Sequence, residues 1–222
     1  MNDPQIMALI YCVLALTFAI TLQSPLVNSV IAIKGHLSNY WVVARRIIGA
    51  VVLTVTARSS LGGFALLLHP VSKTDLLIAL TAVLILLPAC AYMVKKTPQI
   101  GDHYPQLQFE RWNTSLYILN SFSWLIYMSG FELCARIAVL SLLAPHMHPA
   151  AAILFMSLVN GLVHIPKGRQ ESLGAIPFSM LIGTIYLITG SFAAIVFIHT
   201  LFATVTEYYV VRSENKNNKI TV

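Results

Sequence analysis

Five ionisable side chains interrupt runs of otherwise apolar sequence: Glu132, Arg136, His164, His199 and Glu207. In the hydrocarbon core of a bilayer such a group is costly unless it is paired or faces a wet cavity. Glu132 and Arg136 stand four apart in SGFELCARIAV, Ser129–Val139, on one helical face where they can pair. Desolvation offsets most of the attraction in a buried ion pair. The pair therefore either fixes helix packing or belongs to a site. His164 follows Asn160 by one turn in NGLVHIPKGRQE, and His199 lies mid-run in SFAAIVFIHTLFATVTE. A carboxylate and an imidazole can together hold and deprotonate a water. A second imidazole can donate to a developing oxyanion. Proton relays in transporters use the same residue types, so residue type alone leaves hydrolysis and proton movement both open.

The elements that must position these groups are helices. The chain has 222 residues, 57% of them hydrophobic and 10% charged, against about 25% charged in soluble domains. Several runs approach the roughly 20 apolar residues that cross a bilayer. The expected fold is all-α, a polytopic transmembrane helical bundle of about seven spans, six to eight being compatible with the pattern. The runs are Ile6–Leu22, Trp41–Thr56, Leu76–Val94, Leu116–Leu143, Ala150–Ile165, Leu173–Ile188 and Phe192–Val211. The fourth is longer than one span needs, so it must tilt, break or project. Leu61–Leu68 is too short to span and either extends the second helix or lies at the interface. The N-terminal run lacks a basic n-region and an A-x-A site and reads as a retained span.

The net charge of +6 is read as topology, not nucleic-acid binding: lysines and arginines sit in loops on the cytoplasmic side. With the N-terminus outside, the inner side receives Lys34, Arg45, Arg46, Lys95, Lys96, Arg111, Lys167, Arg169, Arg212, Lys216 and Lys219, and the outer side only Arg58 and Lys73. This gives an N-out, C-in arrangement in which residues 212–222 form a polar cytoplasmic tail.

Other signals carry less. Cys12, Cys90 and Cys134 have no disulfide or zinc spacing. His146 and His148 in APHMHPA have no third ligand nearby, and H-E-x-x-H is absent. No metal or cofactor is called for. Gly62-Gly63 reads as a helix break. The stretch Asp102–Trp112 reads as an interfacial helix with Tyr104, Phe109 and Trp112 at the headgroups.

The order of the polar motifs is more specific than their types. HYPQLQFERWN, then a run with E-x-x-x-R, then NGLVHIPKGRQE, then TGSF followed by I-H, resembles the CAAX prenyl protease and bacteriocin-processing membrane family, also called Abi. That family carries E-E-x-x-x-R, F-x-x-x-H and H-x-x-x-N or H-x-x-x-D on successive helices. The matching positions are Phe131-Glu132-x-x-x-Arg136, Asn160-x-x-x-His164 and His199-x-x-x-Ala203. The resemblance covers about residues 104–207, within an Abi-like core of residues 104–211; residues 1–103 match only as generic membrane helices. It implies a glutamate-type intramembrane endopeptidase of a bacterial cytoplasmic membrane. Its partners would be membrane lipid and a membrane-bound or lipidated peptide or protein. Carried over, Glu132 and His164 would activate water and His199 would stabilise the oxyanion, with Arg136 and Asn160 in support. Two positions depart from the pattern: Phe131 stands where the first glutamate is usual, and Ala203 where the partner asparagine is. Either Glu132 serves as the base, or Glu171 or Glu207 replaces the missing carboxylate, or the chain is an inactive homologue acting in binding, immunity or assembly.

Overall fold

The computed structural model describes residues 1–24, 27, 36–62, 71–96, 104, 106, 107, 109 and 112–217. Lys34, Arg111, Lys219 and most of the 63–68 and 102–111 stretches lie outside the described residues. The helices are α1 (Asp3–Leu22), α2 (His36–Leu61), α3 (Lys73–Lys96), α4 (Thr114–Glu132), α5 (Val139–Leu143), α6 (Pro149–Val163), α7 (Arg169–Thr189) and α8 (Phe192–Asn217). No strand occurs among the described residues. The chain is a polytopic helical bundle and an integral membrane protein.

Among the described residues, six helical stretches are long and apolar enough to cross a bilayer. The seventh expected span differs. Helix α6 runs only from Pro149 to Val163, and a short 3-10 turn, Ile165–Lys167, follows. At Pro166 the α-helical pattern gives way to this turn, since proline lacks an N–H and crowds the preceding turn. At 15 residues, α6 is about 22 Å long, short of the roughly 30 Å hydrocarbon core.

The long fourth run stays one helix. Between α4 and α5, Leu133–Ala138 forms a wide π-turn in which every residue is buried. Such turns insert a residue and re-aim the side chains around them, often beside functional groups. In Thr114–Leu143, 78% of the most apolar window is buried, against 22–50% in the other five. This helix is therefore the axis of the bundle, and the others show apolar side chains such as Leu14, Val55, Leu84 and Ile188 outward, as lipid-facing helices do.

The axis helix packs on α2 and on α8, α1 on α2, α3 on α8, and α6 on α7. The axis helix approaches α2 closely at Gly130, where a Cβ would lie 2.7 Å from the Ala50 carbonyl oxygen and 2.9 Å from its Cα. Small residues permit such backbone contact between membrane helices. Gly130→Ala must push α2 away and is expected to cost about 1–3 kcal/mol, as overpacking does. Gly174→Ala, with nothing within 4 Å, is the matched control. Unfolding midpoints in detergent check this, and equal midpoints for the two variants would contradict it. Between α7 and α8 the chain reverses at Gly190, whose φ of 64° is left-handed and favours glycine. Ser191 Oγ then accepts from Ala194 N at 3.2 Å and starts α8.

Two basic residues read as loop charges are not in loops. Arg45 and Arg46 lie within α2 and are fully buried. Arg45 donates to the Leu22 carbonyl at 3.0 Å. Arg46 donates to Asn120 Oδ1 at 2.7 Å and Ser123 Oγ at 2.6 Å, and stacks 3.9 Å above the Trp124 ring. Its counter-charge is Glu207 at 3.3 Å. A charge can be buried when it is paired and its donors are occupied. This network ties α2, α4 and α8 together.

Candidate active site

His164 and His199 line one cavity of about 590 Å³, shared with Phe131, Lys167, Glu171 and Ala203 among others. Its wall comes from α4, the end of α6, the start of α7 and the middle of α8.

His164 caps the C-terminus of α6. Its Nδ1 lies 2.7 Å from the Asn160 carbonyl oxygen. A carbonyl only accepts, so Nδ1 carries the hydrogen and the neutral ring keeps its lone pair on Nε2. Asn160 is buried, also lines the cavity, and donates from Nδ2 to the Ala175 carbonyl at 3.3 Å. That bond pins α6 to α7 beside the histidine.

His199 Nδ1 is hydrogen-bonded to Glu132 Oε1. The ring is held edge-on by Phe178 at 4.8 Å and by Phe131 at 5.4 Å. The same Phe131 ring meets His164 at 6.3 Å, again edge-on. Phe131 is thus a wedge between the two histidines.

Glu132 is fully buried and is not among the cavity-lining residues. It lies behind His199. Its Oε2 is in ionic contact with Arg136 Nε at 3.2 Å, and Arg136 Nη2 donates to Ser179 Oγ at 3.2 Å. The i, i+4 pair anticipated in the sequence is present, and it reaches the cavity through the imidazole of His199.

Glu207 shares a helix with His199 but serves the Arg46 network. It accepts from Asn120 Nδ2 at 2.5 Å and from Gln106 N at 3.2 Å, and it does not line the cavity. Glu171 does line it. Lys167 Nζ contacts Glu171 Oε1 at 3.1 Å, and the Tyr104 hydroxyl donates to the same oxygen at 3.1 Å. Burial, with the Glu171 charge beside it, pushes the Tyr104 phenol well above its usual range. Tyr104 is therefore a hydrogen-bond donor throughout the physiological pH range.

Tyr104 and Lys167 were not among the expected site residues. The described part of the Asp102–Trp112 stretch is not helical, and Tyr104 is in the cavity wall instead of at the headgroups. Phe109 meets Trp112 edge-on at 5.3 Å, and Trp112 lies tilted against Tyr117 at 4.8 Å. The i, i+4 spacing of Lys167 and Glu171 was the available signal for that pair. Among the described residues no group of three His, Cys, Asp or Glu is placed to hold a metal ion.

The arrangement offers a lone pair on His164, a second imidazole with its Nδ1 fixed, and a cavity between them. Comparison with family models gives a match over residues 111–205 to Rce1-like, described as Type II CAAX prenyl endopeptidase Rce1-like. The matched stretch holds all three motifs and is somewhat under half of the chain. Over it the chain is similar to a membrane protease family, the one its motifs resemble. No curated protein and no solved structure matches the chain.

Proposed function

We propose that the protein is an intramembrane endopeptidase that hydrolyses a peptide bond of a membrane-associated or lipidated peptide or protein. The observation that carries this proposal is the shared cavity, which brings His164 and His199 to the same phenylalanine ring. In it His164 acts as general base through Nε2. It takes a proton from water, the water oxygen bonds to the scissile carbonyl carbon, and the proton passes to the amine as the C–N bond breaks. His199 donates from Nε2 to the oxyanion. As an imidazolium, His199 gives Nδ1–H to the ionised Glu132 that also pairs with Arg136, and Nε2–H is left for the oxyanion. Glu132 is then a positioning residue, not the base, and Arg136 holds it in turn. The apolar wall, with Met128, Phe178 and Phe202, suits an apolar peptide or its lipid chain.

Two residues favour a second function. Phe131 fills the place of the usual first glutamate and Ala203 that of the partner asparagine, and both line the cavity. On that second reading the chain would be an inactive homologue that binds a peptide or partner membrane protein.

The experiment uses the protein reconstituted in lipid vesicles with an internally quenched peptide bearing a thioether-linked prenyl chain. The peptidase cleaves it, and His199→Ala slows cleavage about a hundred- to a thousandfold, as loss of an oxyanion donor does. A pure binder retains the peptide saturably and leaves it intact in wild type and variant alike.

A further inference from the structure

On α4 it is Phe131 that lines the cavity beside His164, while the neighbouring Glu132 does not reach it. We infer that Glu171, in the first turn of α7, supplies the missing carboxylate. This rests on the peptidase proposal above and concerns a different helix from the one the motif uses.

Three carboxylates surround the site, and accessibility separates them. The Glu171 side chain is 26% exposed, whereas Glu207 is 2% and Glu132 0% exposed. Glu171 alone of the three lines the cavity. The connection between α6 and α7 is the short turn Ile165–Lys167, so the cap of one helix, His164, and the first turn of the next, Glu171, open on the same space. The carboxylate is also held asymmetrically. Lys167 Nζ and the Tyr104 hydroxyl both sit on Oε1, which leaves Oε2 for a water. Lys167 is fixed too, its ammonium 5.9 Å from the Trp124 ring centroid.

The step balances within these groups. The water gives one hydrogen to His164 Nε2 and keeps its other hydrogen bonded to Glu171 Oε2. The water oxygen forms the new bond to the carbonyl carbon. When the C–N bond breaks, the His164 proton leaves with the amine, and the products are a carboxylic acid and an amine. Glu171 ends as it began, an ionised acceptor paired with Lys167.

The test uses the same vesicles and prenylated quenched peptide. Glu171→Gln is expected to lower kcat about a hundredfold, the scale on which a misplaced reacting group costs rate, with KM nearly unchanged. Phe131→Glu in that background places a carboxylate against His164 from α4 and is expected to recover about tenfold in rate. Formate added to Glu171→Ala is expected to restore cleavage, which it does not do for a residue needed only for packing. Glu171→Gln cleaving as fast as wild type while His164→Ala is inert overturns the role of Glu171 and leaves the peptidase standing. Loss of activity in folded variants that neither formate relieves in Glu171→Ala nor Phe131→Glu relieves in Glu171→Gln also overturns it. Wild type no faster than His164→Ala overturns the peptidase and this inference together.

Discussion

Glu132→Ala is expected to destabilise the fold by about 3–5 kcal/mol, the usual cost of stranding one partner of a buried ion pair. Arg136 is fully buried, and Glu132 is its contacting counter-charge. After the substitution it keeps a hydrogen bond to Ser179 Oγ but loses its counter-ion. Total stabilities of about 5–15 kcal/mol make this a large fraction. The loss also has a second site, because the same carboxylate holds His199 Nδ1. Adding Arg136→Met removes the stranded charge, and the double variant is expected to be more stable than Glu132→Ala alone. Neighbouring partners couple in this way, which a double-mutant cycle measures. Unfolding midpoints of the three variants in detergent decide the matter. A double variant no better than the single would show that Glu132 is held by packing and not by its charge.

His164→Ala is expected to lower kcat about a hundred- to ten-thousandfold, the range for a lost general base. The fold should tolerate it. The ring caps α6 through its own Nδ1 and meets Phe131 only edge-on, and among the described residues it makes no ion pair that the change would strand. The effect should therefore fall on cleavage rate and leave the unfolding midpoint close to wild type. Should the midpoint fall with the rate, the histidine is a packing element, and the base must be sought elsewhere in the cavity.

The helices and the two histidines were legible in the sequence for one physical reason. Apolar runs of span length leave polar residues conspicuous, and Glu132, His164 and His199 are costly there without a purpose. The order of the three motifs did the rest. Arg46 and Lys167 read only as topological charges, because a basic residue near the end of an apolar run suits that role equally well. Only the fold reveals that Arg46 faces Glu207, far along the chain. Tyr104 was hidden by a similar ambiguity, since an aromatic residue between spans suits an interface as well as a cavity wall. The role of Glu132 turned on direction. The i, i+4 spacing predicted its contact with Arg136, but not that His199 would lie between it and the cavity. The π-turn left no mark either, because LCARIA has nothing that distinguishes a wide turn from an ordinary one.

The most direct test of the peptidase is cleavage of the prenylated peptide by the vesicle-embedded protein in water enriched in oxygen-18. Mass spectrometry then reads the new C-terminal carboxyl. The predicted result is one labelled oxygen per cleaved bond under single-turnover conditions, in wild type and not in His164→Ala. Intact peptide after exposure to the folded wild type, or equal labelled product from His164→Ala, would contradict hydrolysis at this site.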